Sequence, residues 1–99
     1  MADDPLKVFE ELDPELLKVL RQTSELAMAD GALPRKIKLL IAMALDSSHG
    51  AVGGVTALAR AALQAGSTKQ EIAETLRVAN YVSGAGSTYT AAYGLKDVV

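Results

Sequence analysis

The residues best suited to chemistry lie in one short stretch of the chain, Asp46–Gly54, with the sequence DSSHGAVGG. It contains the chain's one histidine, His49, three residues after Asp46. Because residues three apart share one face of a helix, Asp46 is placed to orient the imidazole, and His49 would then serve as a general acid/base or as a ligand-binding donor. In the alternative interpretation, His49 is a helix C-terminal residue facing the dipole, and Asp46 is its surface partner.

Other chemistries for this stretch fail on geometry or on residue type. The run Asp46-Ser47-Ser48-His49 has the residue types of a serine hydrolase triad, but neighbours on one helical turn cannot adopt triad geometry. The glycines of 50–54 lack the GK[ST] ending and the preceding strand of a phosphate loop, so we expect them to allow a sharp turn or close helix packing. A single histidine without clustered carboxylates makes no metal site. We expect neither a metal nor a cofactor.

The composition excludes several classes of function. The chain has no cysteine, which excludes disulfides, thiolate catalysis and thiolate metal sites. Its net charge is −2, and it has no run of lysines or arginines, so nucleic acid and anionic membranes are not expected partners. We find no secretory signal and no apolar stretch near the about 20 residues of a spanning helix, and we expect a cytoplasmic location.

The elements that must position these residues are predicted to be helices, five or six of them, in a single all-α domain over residues 1–99. Asp13-Pro14 is an N-cap followed by proline, and it opens a predicted helix over 14–29 that ends with Gly31 in the left-handed conformation. The next predicted helix, 34–48, is apolar almost all round, which marks it as the central helix.

Three more helices are predicted in the C-terminal half. The first starts at 51 or 55 and ends near 65, and the second is opened by a capping box of Thr68 and Glu71. The last runs over 87–95, after small residues suited to a close contact in the core or between subunits. The high apolar content of so small a chain favours an oligomer.

Three sequence features together carry a family resemblance over about residues 26–92. They are Leu33-Pro34-Arg35-Lys36 before the central helix, the run AALQAGST over 61–68, and EIAETL over 71–76. With these features the chain resembles the carboxymuconolactone decarboxylase / alkyl hydroperoxidase D family. The resemblance implies a compact all-α bundle that forms a homo-trimer or homo-hexamer, with a pocket near a subunit interface.

Redox members of that family carry a glutamate, a Cys-x-x-Cys pair and a histidine. With Gly66 as the anchor, the histidine falls on Leu58, the cysteines on Ala51 and Gly54, and the glutamate on Leu39. All four positions are substituted here. Thiol peroxidase chemistry needs a thiolate nucleophile and a resolving thiol, so it is excluded.

The decarboxylase branch of the family acts on a lactone dicarboxylate, which requires cationic groups and a proton donor. The candidates for these roles are Arg60, Arg77, Lys36 and His49, with Tyr81 and Tyr89 as further ligand contacts. For Arg77 the alternative is an ion pair with Glu74 on the helix surface.

Two functional hypotheses therefore stay open. One is a non-redox domain that binds a small anionic organic ligand or serves as a structural module. The other is a cysteine-independent decarboxylase or lactone-directed enzyme, with His49 as general acid/base.

Overall fold

The computed structural model of the chain describes residues 4–99, in which every regular element is helical. A short 3₁₀ turn, Pro5–Val8, precedes six α-helices. They are α1 (Phe9–Leu12), α2 (Pro14–Met28), α3 (Arg35–Ser48), α4 (Val52–Gln64), α5 (Lys69–Ser83) and α6 (Ala85–Leu95). The predicted all-α architecture is confirmed.

Side-chain caps set the starts of α2 and α5, as the sequence predicts. The Asp13 carboxylate accepts a hydrogen bond from the Leu16 amide, with Pro14 at the first helical position. The end of α2 differs from the prediction, since the chain turns extended at Ala29 and Gly31 does not adopt a positive φ. The reason is Asp30, whose carboxylate accepts from the Arg35 amide at 2.6 Å and so caps the start of α3 instead.

The central position predicted for α3 is confirmed, because α3 packs against α4, α5 and α6. Its buried residues are Leu39, Leu40, Met43 and Ser47. Of these, Leu39, Leu40 and Met43 form one hydrophobic cluster with Val55, Ala59 and Ala62 of α4 and Ile72 of α5.

A second apolar row of α3 remains open to solvent. Ile41 and Leu45 belong to the apolar set with the clearest helical spacing, yet they are 45% and 55% exposed. They lie along an open channel between α3 and α5, which we call the α3/α5 groove. It is lined by Ile37, Leu40, Ile41, Ala44, Leu45, Thr75 and Val78, and it continues past Val82.

The small residues of α6 serve a core contact. Ser87, Ala91 and Gly94 form the buried face of this helix. A Cβ on Gly94 would lie 2.8 Å from the Val55 side chain, so the glycine lets α6 approach α4 closely. The Thr56 hydroxyl donates to the Gly94 carbonyl at 2.6 Å across the same contact.

Candidate functional site

The turn between α3 and α4 holds Asp46 and His49. The hydroxyls of Ser47 and Ser48 donate to the carbonyls of Met43 and Ala44 one turn earlier, so they bond to the backbone of their own helix. Gly50 then takes a φ of +79°, which reverses the chain into α4.

The Asp46 side chain folds back over the first turn of α4. A Cβ built on Gly54 would collide with the Asp46 carboxylate oxygen and would lie 2.9 Å from its Cγ. The carboxylate therefore fills the space beside the Gly54 Cα. Within residues 4–99 it is half-buried and has no side-chain hydrogen bond or ion pair, but the N-terminal end of α4 provides a partial positive charge that favours an anion.

His49 lies at the C-terminal end of α3 and is exposed to solvent. Its backbone amide donates to the Leu45 carbonyl, as at an ordinary helix end. The structure brings His49 and Asp46 to the same turn, but their side chains form no hydrogen bond there. Neither residue lines any of the crevices described in this article.

The four positions that the resemblance assigns to redox residues carry no reactive group. Leu39 is 2% exposed in the hydrophobic cluster, and Leu58 packs against that cluster from α4. Ala51 is the N-cap residue of α4 and provides no side-chain cap, and Gly54 accommodates Asp46. Hydrocarbon and one carboxylate therefore occupy the region where redox relatives place their thiols.

Arg77 belongs to a separate crevice between α5 and α6, which we call the α5/α6 crevice. It has a volume of about 390 Å³ and is lined by Ala73, Leu76, Arg77, Asn80 and Thr88. The Thr88 hydroxyl donates to the Asn80 side-chain oxygen at 2.7 Å, which leaves the amide nitrogen of Asn80 free to donate to a ligand. The sequence analysis did not identify Asn80 or Thr88 as candidate binding residues. For Asn80 the one available signal was its position three residues after Arg77, and for Thr88 there was none.

The ion pair considered for Arg77 is not formed within the described chain. Glu74 instead accepts a hydrogen bond from the Gln70 side chain at 3.3 Å. No hydrogen bond or ion pair engages the Arg77 guanidinium within residues 4–99, so its donors face the crevice and solvent.

The other candidate binding residues are dispersed. Tyr81 and Tyr89 are exposed on α5 and α6, and Tyr89 directly follows Thr88 of the crevice. Arg60 lies exposed on α4 and lines none of the crevices described here.

Lys36 forms an ion pair at the start of α5. Its ammonium lies 3.1 Å from the Glu71 carboxylate, and Glu71 and Thr68 form the predicted capping box. The Thr68 amide, together with Lys36, holds the pKa of Glu71 below its ordinary value.

Residues 4–99 contain no cluster of three His, Cys, Asp or Glu side chains arranged to hold a metal ion. None of the helices there has the length and apolar content needed to cross a membrane.

The described chain is an all-α bundle around a central α3, with a glycine-rich turn between α3 and α4. The model of the carboxymuconolactone decarboxylase family matches residues 14–95, and the chain belongs to this family. Among the functionally curated proteins, none matches this sequence.

A solved structure gives the same fold. The chain is similar to a carboxymuconolactone decarboxylase family protein from Legionella pneumophila, solved in its apo form. The two share 34% sequence identity with a TM-score of 0.86, over 92% of this chain and 81% of the other. The family and the fold predicted from the sequence are both confirmed.

Proposed function

We propose that this chain is a non-redox member of its family that binds a small organic molecule as part of a homo-oligomer. The observation that carries the proposal is the packing of Leu39 and Leu58 in the hydrophobic cluster, at the positions where the resemblance places a glutamate and a histidine. Neither leucine can relay a proton, and the chain has no cysteine, so the relay groups and the thiolate nucleophile of the redox relatives are both missing.

The α5/α6 crevice supports an anionic ligand. Arg77 offers a planar fork of donors without an acidic partner, and Asn80 is held with its amide donors available. This donor set matches a carboxylate, while Ala73 and Leu76 provide an apolar wall for the rest of a small organic acid.

The exposed area supports the homo-oligomer. The chain exposes 6857 Å², whereas a compact monomer of its mass, 10.3 kDa, exposes about 5,400 Å². The excess, about 1,500 Å², matches two interfaces at the roughly 800 Å² per partner that a standard interface buries. Two interfaces on each chain are what a ring requires, and we favour a homo-trimer or a homo-hexamer built from such rings.

A second candidate is a cysteine-independent decarboxylase or lactone-directed enzyme with His49 as general acid/base. The observation that favours it is the half-buried Asp46 carboxylate without a hydrogen-bond partner, one turn from an exposed imidazole. In this mechanism the Asp46 carboxylate would orient the His49 imidazole, or stabilise its protonated form, once a bound substrate covers the turn between α3 and α4.

Thermal unfolding with a panel of small carboxylic acids and lactones tests the binding proposal. A ligand at 100 times its Kd stabilises the folded state by about 2.7 kcal/mol, which raises the melting temperature of a domain this small by roughly 10 °C or more. We expect a carboxylic acid to stabilise wild type and Arg60→Gln but not Arg77→Gln.

The same panel separates the two candidates. A ligand whose effect survives Arg77→Gln but is lost in His49→Ala would favour the enzyme, and turnover of a lactone lost with His49 would establish it. A well-folded protein that no compound stabilises would contradict small-molecule binding.

A further inference from the structure

Helix α2 presents an apolar stripe that no part of residues 4–99 covers. The stripe consists of Leu16, Val19, Leu20 and Leu26, which recur at helical spacing and are all exposed. We call it the α2 stripe. Leu17, the one buried residue of α2, points about a quarter turn away from it.

The attachment of α2 explains why the stripe stays uncovered. Met28, at its C-terminal end, packs against the hydrophobic cluster, and the Ala29 carbonyl accepts from the Lys38 ammonium. At its other side Arg21 pairs with Asp4 of the N-terminal segment at 3.1 Å. Helix α2 is thus attached to the bundle at its C-terminal end. The chain is accordingly less compact than a typical domain of its length: its radius of gyration is 14.2 Å, against about 12.6 Å expected.

The α3/α5 groove has the complementary shape. Ala44, Leu45 and Val78 line both of its crevices, of about 340 and 180 Å³, so the two form one continuous channel. Its walls are helices of 14 and 15 residues, and α2 has 15 residues. At a rise of about 1.5 Å per residue, the stripe from Leu16 to Leu26 is about 15 Å long, and the α3 wall of the groove from Ile37 to Ser48 is about 16–17 Å long.

We propose that the α2 stripe of one copy of this chain packs into the α3/α5 groove of a second copy. The inference rests on the proposed homo-oligomer and names the two surfaces that build it. A convex row of side chains from one helix fits the channel between two others, which is the ordinary geometry of helix packing. The excess exposed area of about 1,500 Å² derived above is close to the amount that two standard interface halves would remove from solvent, and the stripe and the groove supply one apolar patch for each half.

The symmetry of the assembly follows from this contact. Stripe and groove are different patches of the same chain, so two copies can exchange them reciprocally about a two-fold axis, or each copy can give its stripe to one neighbour and its groove to another. The proposed homo-trimer or homo-hexamer requires the second, head-to-tail arrangement, which closes into a ring when the rotation between copies is a whole fraction of a turn. A dimer in which stripe meets stripe or groove meets groove is not formed by this contact.

Sedimentation velocity of the full chain and of three variants tests the proposal. Val19→Glu places a charge in the stripe, and Leu45→Glu places one in the groove. Tyr93→Glu is the matched control, an equally exposed apolar side chain of α6 that belongs to neither surface. We expect a ring of at least three chains for wild type and for Tyr93→Glu, and monomers of about 10.3 kDa for the other two. Circular dichroism verifies that each variant keeps its helices.

Mixing the two dissociated variants gives the sharper result. The Val19→Glu chain keeps an intact groove, and the Leu45→Glu chain keeps an intact stripe. Their equimolar mixture should form a 1:1 dimer that grows no further, because the remaining contact would join two damaged surfaces.

Each other outcome overturns the docking model in its own way. Assembly that survives Leu45→Glu would mean that stripes pair with stripes, and assembly that survives Val19→Glu would mean that grooves pair with grooves. Dissociation by Tyr93→Glu would place the interface on α6. A monomeric wild type at tens of micromolar would contradict both this docking and the proposed homo-oligomer, while the ligand-binding experiment would still stand.

Discussion

The carboxylate of Asp46 lies against Gly54 across the turn between α3 and α4, so that a side chain at position 54 requires the carboxylate to move. The position is the one that the resemblance assigns to the second redox cysteine. The Asp46 carboxylate thus occupies the volume in which the resemblance places the thiol of that cysteine. The Asp46 carboxylate in its present position and a side chain at position 54 exclude each other. A Cys-x-x-Cys pair therefore cannot be introduced here without moving Asp46.

Gly54→Ala tests this relationship. Alanine inside a helix is ordinarily more stable than glycine by about 0.5–1 kcal/mol, but at 54 the new Cβ forces the carboxylate off its place. We expect Gly54→Ala to be less stable than Gly53→Ala by about 1–2 kcal/mol in urea unfolding. Gly53 is the matched control, since it lies in the same helical turn and a Cβ there meets nothing within 4 Å.

The source of that cost is checked in an Asp46→Ala background. With the carboxylate removed, the two alanine variants should become equally stable, because a coupling between neighbouring sites disappears when one partner is gone. A difference that persists would show that Gly54 is required for another reason, such as the path of the backbone.

Gly94→Ala tests the close approach of α6 to α4. The added Cβ would lie 2.8 Å from Val55 and 2.9 Å from the Val52 carbonyl oxygen, and a backbone atom cannot move aside as a side chain can. We expect a loss of stability of about 1–3 kcal/mol from overpacking. Gly86→Ala, in the first turn of the same helix with open space around it, should be neutral or stabilising. Equal stability of the two variants would contradict the packing described here.

The capping box gives a pH dependence with a definite sign. Glu71 has a lowered pKa in the folded chain, chiefly because the Thr68 amide donates to it and secondarily because Lys36 lies beside it. A carboxyl whose folded pKa is depressed contributes stability above its unfolded value, near 4.5, and loses that contribution as the pH falls through the folded pKa.

The measurement is the melting temperature of wild type and Glu71→Gln between pH 7 and pH 2. Wild type should be the more stable at neutral pH, and the difference should shrink toward zero at the acid end. Glu74→Gln removes the same charge one turn later, where no ion pair is lost, and serves as the control. A constant difference between wild type and Glu71→Gln across the whole range would refute the contribution of this carboxylate.

Features set by neighbours in sequence could be predicted from the sequence. Asp13 caps α2, and Thr68 and Glu71 cap α5, because each donor and acceptor lies within three residues along the chain. The family resemblance could be recognised for the same reason, since it rests on short runs around the helix starts. Gly31 shows the limit of local reasoning, because the neighbouring Asp30 bonds forward to Arg35 and ends the helix earlier.

Features set by tertiary placement could not be predicted. Ile41 and Leu45 have the periodicity of a core row, and apolar periodicity does not distinguish a row that meets its own core from one that meets solvent or another chain. The spacing of Asp46 and His49 suggested a pair, but the turn at Gly50 carries the carboxylate toward Gly54 instead. Thr88 joins Asn80 only because α6 folds back along α5.

The last prediction concerns the glutamate position of the redox relatives, occupied here by Leu39. Leu39→Glu places an ionisable group in a site that is 2% exposed and surrounded by hydrocarbon. Burying such a group without a partner should cost on the order of 3 kcal/mol or more, whereas Leu39→Met, which keeps the volume and the apolar character, should cost less than about 1.5 kcal/mol. Urea unfolding of both variants at pH 7 measures the difference. If Leu39→Glu were as stable as Leu39→Met, the site would have to contain space or water for a carboxylate, and the argument that hydrocarbon has replaced the redox centre would fail.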